Sequence, residues 1–136
     1  MAKGAPKLIP IEVEEDIVRA RRAGRDMARE LGFSAAYQTR VATAISELAR
    51  NALTYAGSGV CQVHALQDPW IVSIRVTVVD EGPGIADLSA ALDDGFATEN
   101  GLGKGLAGTK RLVDEFQVTS RPGRTRVTVT IKSARR

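Results

Sequence analysis

The chain is organised around the stretch Ile45-Ser-Glu-Leu-Ala-Arg-Asn-Ala-Leu-Thr-Tyr55. Its apolar residues, continued backward by Val41, recur at helical spacing and predict the buried stripe of an amphipathic helix. Glu47 and Asn51 stand one turn apart beside that stripe, so both side chains point the same way. Such a pair can serve a Mg²⁺-dependent reaction, because Mg²⁺ takes oxygen ligands and a carboxylate can accept a proton from a hydroxyl nucleophile. For this motif alone, two solvated side chains on a helix shoulder are the better interpretation.

The same period predicts two helices in the first half of the chain. Apolar residues recur at this spacing over 12–31, and the acidic residues 14–16 stand in the first turn, where they complement the helix dipole. Gly32 suits the position that follows a helix. Ser34 is a suitable N-cap for the second helix, which is predicted to run to about Tyr55.

The remaining apolar segments predict strands and a third helix. An edge strand precedes the first helix, a hairpin follows the second, and a helix and a closing hairpin end the chain. The predicted ranges are strands 7–11, 60–66 and 70–79, a short helix 87–92, the third helix 106–116, and strands 118–120 and 124–132. Because strands and helices do not alternate, the order argues against a doubly wound parallel sheet. It predicts an α+β fold, a two-layer sandwich with helices on one face of a mixed or antiparallel sheet.

Length and composition narrow the class of protein. With 136 residues, 43% of them hydrophobic, the chain has the size and apolar content of one domain, assigned to 1–136. The net charge is only +3 and aromatic residues make up 4%, so no nucleic-acid-binding stripe is indicated. No leader or bilayer-spanning apolar run is found, so we expect a cytoplasmic protein that binds neither nucleic acid nor membrane. The lone cysteine, Cys61, excludes an internal disulfide, and His64 has no partner at metal spacing.

A glycine-rich segment precedes the third predicted helix. Gly101, Gly103 and Gly105 free the backbone to turn its N–H groups toward an anion, and the helix N-terminus adds partial positive charge. Lys104 adds a formal charge. The segment is not the dinucleotide fingerprint, because no strand leads directly into it, and it lacks the Gly-Lys-Ser/Thr ending of a P-loop. By itself it is consistent with a phosphate-binding loop or a flexible connector.

A second candidate loop follows the predicted strand 70–79. Asp80 ends the strand, and Gly82 and Gly84 flank Pro83 behind it. The carboxylate can accept a hydrogen bond from an exocyclic amine, and the glycines leave room for a flat ring. An ordinary tight turn has the same composition, because Asp, Gly and Pro are all common in turns.

Together the three motifs are specific: Glu-x-x-x-Asn on a helix, Asp-x-Gly-x-Gly after a strand, and Gly-x-Gly-x-Gly before a helix. In this order they resemble the N, G1 and G2 boxes of the GHKL ATPase/kinase superfamily, which has a Bergerat-type ATP-binding fold. Within the superfamily the chain is most similar to the switch serine kinases of the bacterial stressosome. The segments that carry this likeness are Thr43-Ala-Ile-Ser-Glu-Leu-Ala-Arg-Asn51, Tyr55-Ala-Gly57, Asp94-Gly-Phe96 and Lys110-Arg-Leu-Val-Asp-Glu-Phe116.

The resemblance implies an ATP site between the sheet and a lid. In that site Asn51 would hold Mg²⁺ on the phosphates, and Glu47 would act as base toward the substrate hydroxyl. Asp80 would bind the adenine amine. The other implied cofactor-binding residues are Gly82 and Gly84 at the ring, and Gly101, Gly103, Lys104, Gly105 and Leu106 at the phosphates. The family also places a threonine of a late strand near adenine, and the sequence leaves both Thr125 and Thr128 open.

The resemblance also implies a function, the ATP-dependent phosphorylation of serine or threonine on a protein. Kinases of this group act on a STAS-domain antagonist and, when released from it, activate a PP2C-type phosphatase. Two alternatives keep the same fold. One is an anti-sigma factor kinase that sequesters a sigma factor, and the other is a nucleotide-binding adaptor with little turnover.

Overall fold

The computed structural model describes residues 5–84 and 102–135, and of residues 102–105 only the backbone. The described residues form five strands and three helices. None of these three helices is both long and apolar enough to cross a lipid bilayer. In chain order the elements are β1 (Lys7–Ile11), α1 (Glu14–Glu30), α2 (Ala35–Ala56), β2 (Gly59–Gln67), β3 (Ile71–Asp80), α3 (Leu102–Leu112), β4 (Glu115–Arg121) and β5 (Arg124–Ala134).

The five strands pair antiparallel in one sheet of order β1-β2-β3-β5-β4. Val76 lies opposite Val129 across the central strands β3 and β5, and both are fully buried. Ile17 of α1 and Ile45 and Leu48 of α2 belong to the same buried core, so the two helices cover this face of the sheet. The arrangement confirms the predicted two-layer α+β sandwich and makes its sheet wholly antiparallel in the described part of the chain.

The ends of α1 and α2 carry the residues that the sequence assigned to them. Ser34 Oγ accepts a hydrogen bond of 3.2 Å from the backbone N–H of Tyr37 and so caps the first turn of α2. Gly57 ends α2 with φ of 83°, and Gly32 follows α1 with φ of 84°. Glycine stops both helices at these positions, because side chains disfavour this left-handed conformation.

The third helix differs from its predicted range 106–116 at both ends. It begins at Leu102, so residues 103–105 lie in its first turn instead of in a preceding loop. Burial of Leu106 and Thr109 beside α2 outweighs the low helix propensity of the glycines. The helix ends at Leu112, and Phe116 belongs to β4, where exposed and half-buried residues alternate. The short helix predicted over 87–92 lies outside the described residues.

Gly24 lies on the face of α1 that packs against α2. A Cβ atom at this position would collide with Ile45 Cδ1 and lie 3.2 Å from Val41 Cγ1. Gly24→Ala is therefore expected to lower the free energy of unfolding by about 1–3 kcal/mol through overpacking. Gly108 of α3 is the matched control, because nothing lies within 4 Å of its Cβ position. There alanine should raise the free energy of unfolding by about 0.5–1 kcal/mol, as expected from helix propensity.

Urea unfolding of the two single variants measures both effects. An equal gain in stability from Gly24→Ala and Gly108→Ala would contradict the close approach of α1 and α2.

Candidate functional site

A cavity of about 40 Å³, partly open to solvent, lies between α2, the adjoining ends of β3 and β5, and α3. Its lining brings together residues from the helix motif, the Asp80 loop and the segment after the glycines, which are far apart in the sequence. The described lining residues are Leu48, Asn51, Ala52, Tyr55, Val78, Asp80, Pro83, Gly84, Leu106, Thr125 and Val127. Most of this surface is apolar, so the polar groups of Asn51, Asp80 and Thr125 stand out as the anchors for a ligand.

The α2 motif places one of its two candidate residues at the cavity. Asn51 is half-buried, and its Nδ2 atom is buried without a hydrogen-bond partner among the described residues. A buried amide without a partner is unfavourable, and a bound group that accepts its N–H would remove that cost. Glu47 lies one helical turn earlier, is half-buried as well, and does not line the cavity.

Asp80 ends β3 at the rim of the apolar surface. One carboxylate oxygen accepts a hydrogen bond of 3.0 Å from the backbone N–H of Gly82. Burial raises the pKa of the Asp80 carboxyl, against the opposing effect of that hydrogen bond. The second oxygen, with no hydrogen bond to the other described residues, is free to accept from a ligand amine.

Gly82 and Gly84 differ in what they do. A Cβ atom on Gly82 would stand 2.6 Å from Ala56 Cβ, so this glycine lets the loop approach the end of α2. Gly84 has φ of +84° and lines the cavity, whereas Gly82 does not. The backbone N–H of Gly123 donates a 2.9 Å hydrogen bond to the Gly82 carbonyl and ties the loop to the β4–β5 turn. The structure thus brings only Gly84 of the two to the lining.

The structure separates the two threonines that the sequence left open. Thr125 lies opposite Asp80 in the β3–β5 register, is 7% exposed and lines the cavity. Its Oγ1 atom is 2.7 Å from Ser120 Oγ. Thr128 lies on the other face of the sheet, with its Oγ1 atom 3.2 Å from Thr77 Oγ1. Thr125 is therefore the threonine at the candidate site.

Several lining residues were not named as site residues from the sequence. Leu48 and Tyr55 were predicted only as part of the helical stripe, and Val78 only as part of the strand 70–79. Val127 continues the inward alternation of β5, and that period of two also places Thr125 on the inner face. The alternation along β5 could therefore have identified Thr125 and Val127 as residues of the inner face from the sequence.

The glycine-rich motif is described only in part. Gly101 lies outside the described residues. Gly103, Lys104 and Gly105 lie in the first turn of α3, where the backbone alone is described. Leu106 follows them, is 1% exposed and lines the cavity. Of this segment, Leu106 is the residue that the described structure places at the cavity.

The sequence and the fold match a known family of ATPase domains. A family model described as a histidine kinase-like ATPase domain matches residues 9–131. The chain belongs to the histidine kinase-like ATPase family. One relative of this ATPase domain is the serine/threonine-protein kinase RsbT of Bacillus subtilis (strain 168). The two are 47% identical over 115 residues, which cover 85% of this chain and 86% of RsbT.

Solved structures of histidine kinases share the fold of this ATPase domain. The mycobacterial sensor histidine kinase MprB aligns with a TM-score of 0.53 and 21% identity, over 93% of this chain and 97% of that chain. The catalytic domain of the histidine kinase ThkA aligns with a TM-score of 0.56 and 15% identity over the same shares. At these identities the likeness concerns the fold alone.

These relationships confirm the superfamily predicted from the three motifs, and RsbT is a serine/threonine-protein kinase, as the resemblance within that superfamily implied. They also confirm the predicted enzyme class, because the relative of this histidine kinase-like ATPase domain is a serine/threonine-protein kinase. Membership of an ATPase domain family further implies that the nucleotide is ATP.

Proposed function

We propose that the chain is an ATP-dependent protein serine/threonine kinase of a bacterial partner-switching module, with 1–136 as its single kinase domain and its active site at the α2–β3 cavity. The observation that supports it is the meeting of separate motifs at one apolar cavity with few polar anchors. Such a site suits a nucleotide, because the base requires apolar contact with a few directed hydrogen bonds.

The proposed adenine position lies at the Asp80 end of the cavity. Asp80 accepts from the exocyclic amine, and the neighbouring Thr125 hydroxyl can donate or accept at the ring edge. Val78 and Val127 provide apolar contact for the ring, with Gly84 at the loop. Gly82 contributes to the same pocket by holding the loop against α2.

Asn51 fits the role of Mg²⁺ ligand. Its side chain lines the cavity, where the amide oxygen would be the ligand, and the Nδ2 donor has no hydrogen bond that would hold the amide elsewhere among the described residues. A single protein oxygen suits Mg²⁺, which keeps phosphate and water oxygens as its other ligands. When bound, the ion neutralises phosphate charge during phosphoryl transfer. Asn51 itself would orient the phosphates by fixing where they approach α2.

The segment from Gly101 to Leu106 is proposed to lie over the phosphates. The free backbone N–H groups at the start of α3 suit an anion, and helix polarity adds to the attraction. The buried Leu106 anchors this end of the helix at the cavity. Lys104 is proposed to add positive charge there.

Glu47 is proposed as the general base. It lies beside the cavity, one turn from Asn51 and outside the lining, so it can meet a substrate hydroxyl without filling the ATP space. The carboxylate takes the proton of the substrate hydroxyl. The hydroxyl oxygen forms the new bond to the terminal phosphorus, and the bond from that phosphorus to ADP breaks.

The proposed partners follow from the relationship to RsbT. We propose a STAS-domain antagonist as substrate and a PP2C-type phosphatase as the target that the released kinase activates, both in the cytoplasm. The test mixes purified kinase, Mg·ATP and a STAS-domain protein and measures intact mass. The gain of one phosphoryl group on serine or threonine is expected. Retention of a sigma factor with no phosphorylation of the STAS protein would overturn the proposal.

Asn51→Ala is expected to abolish the Mg²⁺-dependent part of the stabilisation by ATP. In the parent protein, Mg·ATP at a hundredfold excess over its Kd should raise the free energy of unfolding by about 2.7 kcal/mol. The variant should fold normally, because alanine favours a helix and no described partner of Asn51 is lost. Thermal unfolding with ATP, in Mg²⁺ and in EDTA, measures the effect.

Thr54→Ala is the matched control, because Thr54 is exposed on the same helix. It should retain the full Mg²⁺-dependent shift. Loss of the fold of Asn51→Ala without nucleotide would make Asn51 a structural residue and remove it from the metal site.

A further inference from the structure

The face of the sheet that points away from the helices carries a polar groove of about 450 Å³, open to solvent. A continuous row of amide and hydroxyl side chains crosses four strands at its floor. In the strand register, Gln62 lies opposite Thr77, Thr77 opposite Thr128, and Thr128 opposite Gln117. These groups both donate and accept hydrogen bonds, as the backbone of an extended peptide does. The floor is therefore suited to a peptide more than to an apolar ligand.

The two ends of the groove differ in charge. At one end Arg121, Arg124 and Arg126 line a smaller adjoining cavity of about 270 Å³, which shares Thr119 and Arg126 with the groove. All three arginines are exposed, and none forms an ion pair with a carboxylate in the described parts of the chain. This end carries positive charge that the described residues do not balance.

The other end is balanced, because two carboxylates, Glu115 and Asp114, lie near the cations Lys132 and Arg75. Lys132 Nζ forms a 2.6 Å ion pair with Glu115, and this contact lowers the pKa of the Glu115 carboxyl. Arg75 lies near the same carboxylate and donates to Thr130 Oγ1 at 3.5 Å. A ligand with negative charge along its whole length would meet Glu115 here, so the groove favours one whose acidic groups are concentrated at the arginine end.

We propose that this outer face docks an acidic, extended segment of a partner protein, with its carboxylates at Arg121, Arg124 and Arg126 and its backbone along the Gln62–Gln117 row. Guanidinium groups bind carboxylates through paired, charge-assisted hydrogen bonds. Complementary charge also raises the rate of encounter and excludes basic partners. The site is on the opposite face of the sheet from the ATP cavity, so the proposal does not rest on the proposed kinase mechanism.

Two other occupants fit the face less well. A nucleic acid would bring phosphates along the whole groove to Glu115, and no phenylalanine, tyrosine or tryptophan lines the groove for base stacking within the described chain. A second copy of the chain would present the same arginines. Both occupants are tested by the same experiment.

The experiment measures fluorescence anisotropy of a labelled peptide with glutamates at one end and serines at the other, titrated with the whole chain at an ionic strength of about 0.1 M. Arg121→Gln/Arg124→Gln should weaken binding about tenfold, the sum of two exposed charge-assisted contacts. Arg121→Lys/Arg124→Lys, which keeps the charge, should weaken it less. Gln117→Trp on β4 should weaken it by narrowing the groove without a change in charge.

Arg21→Gln/Arg22→Gln is the matched control, because both residues are exposed on α1 and the net charge changes equally. It should leave the peptide affinity within about twofold of the parent, since remote exposed charges are screened. If Arg121→Gln/Arg124→Gln is folded, its melting temperature and the rise in melting temperature caused by Mg·ATP should equal those of the parent. The same two measurements test the ATP site separately, so the docking proposal and the proposed ATP site can fail independently of each other.

Four outcomes would overturn the docking proposal. They are no peptide binding, an equal loss in the α1 control, tighter binding of a labelled oligothymidylate at the same arginines, and self-association that Arg121→Gln/Arg124→Gln dissolves. A loss of peptide affinity in Arg121→Gln/Arg124→Gln and Gln117→Trp, but not in the α1 control, supports the proposal.

Discussion

Glu47→Gln is expected to slow phosphoryl transfer to the protein substrate by about 10²- to 10⁴-fold, the usual contribution of a general base. Glutamine keeps the length and helix propensity of glutamate but cannot accept the hydroxyl proton. Because Glu47 does not line the cavity, the stabilisation by Mg·ATP should remain. The measurement is intact mass of a STAS-domain partner over time, with single-turnover amounts of kinase.

The same variant should still bind its partner. An interface takes most of its affinity from a few buried anchors, and Glu47 is only half-buried on α2. The complex of Glu47→Gln with the proposed STAS-domain substrate should therefore persist in Mg·ATP, where the parent complex is expected to dissociate as its substrate is phosphorylated. Glu30→Gln at the end of α1 is the control and should behave as the parent. A parental rate of transfer would remove Glu47 from the mechanism, and loss of the complex before ATP is added would assign it to docking.

Asp80→Asn is expected to lose most of the stabilisation by nucleotide, about 2.7 kcal/mol at a hundredfold excess over the parental Kd. The amide oxygen of asparagine can replace the acceptor for the Gly82 N–H, so the loop should keep its shape. We expect the loss to come from the second, charged acceptor that is proposed for the adenine amine. Thermal unfolding with and without Mg·ATP measures the change. A nucleotide shift equal to that of the parent would contradict the adenine assignment.

Without nucleotide, the same substitution is expected to raise the stability of the fold. Burial raises the pKa of Asp80 in the folded protein, so the folded state favours the protonated carboxyl. The stability that this protonation contributes is lost as the pH rises through the folded-state pKa. Asp80→Asn should therefore be more stable than the parent at neutral pH, with the difference shrinking in acid. A site residue that costs stability in this way is typical of binding sites.

Asp68→Asn is the matched control in the β2–β3 turn. Hydrogen bonds from the backbone N–H groups of Trp70 and Ile71 lower the pKa of Asp68, so its carboxylate stabilises the fold above the unfolded pKa, and that stability is lost as the pH falls through the folded one. Asp68→Asn should lose stability at neutral pH and keep the full nucleotide shift. The two aspartate variants thus change stability with opposite signs, and only Asp80→Asn changes the response to ATP.

Features whose causes are local could be predicted from the amino-acid sequence alone. The period of apolar residues and the cap at Ser34 defined α2, because a helix and its first turn depend on residues three and four positions apart. Alternation with a period of two defined β3 and β5 in the same way. The order of the three motifs was also sufficient for the superfamily, and Asn51, Asp80, Gly84 and Leu106 all line the cavity.

Features whose causes lie far along the chain were decided by the tertiary structure. The start of α3 at Leu102 depends on packing against α2, which outweighs the local preference of glycine for a loop. The need for glycine at position 82 comes from the approach of Ala56, far away in the sequence. Thr125 is at the cavity and Thr128 on the groove face, because pairing with β3 and cover by α2 determine which side of β5 points inward. Local sequence carries the period of a strand or helix, whereas only packing between elements decides which face is buried and what a glycine must make room for.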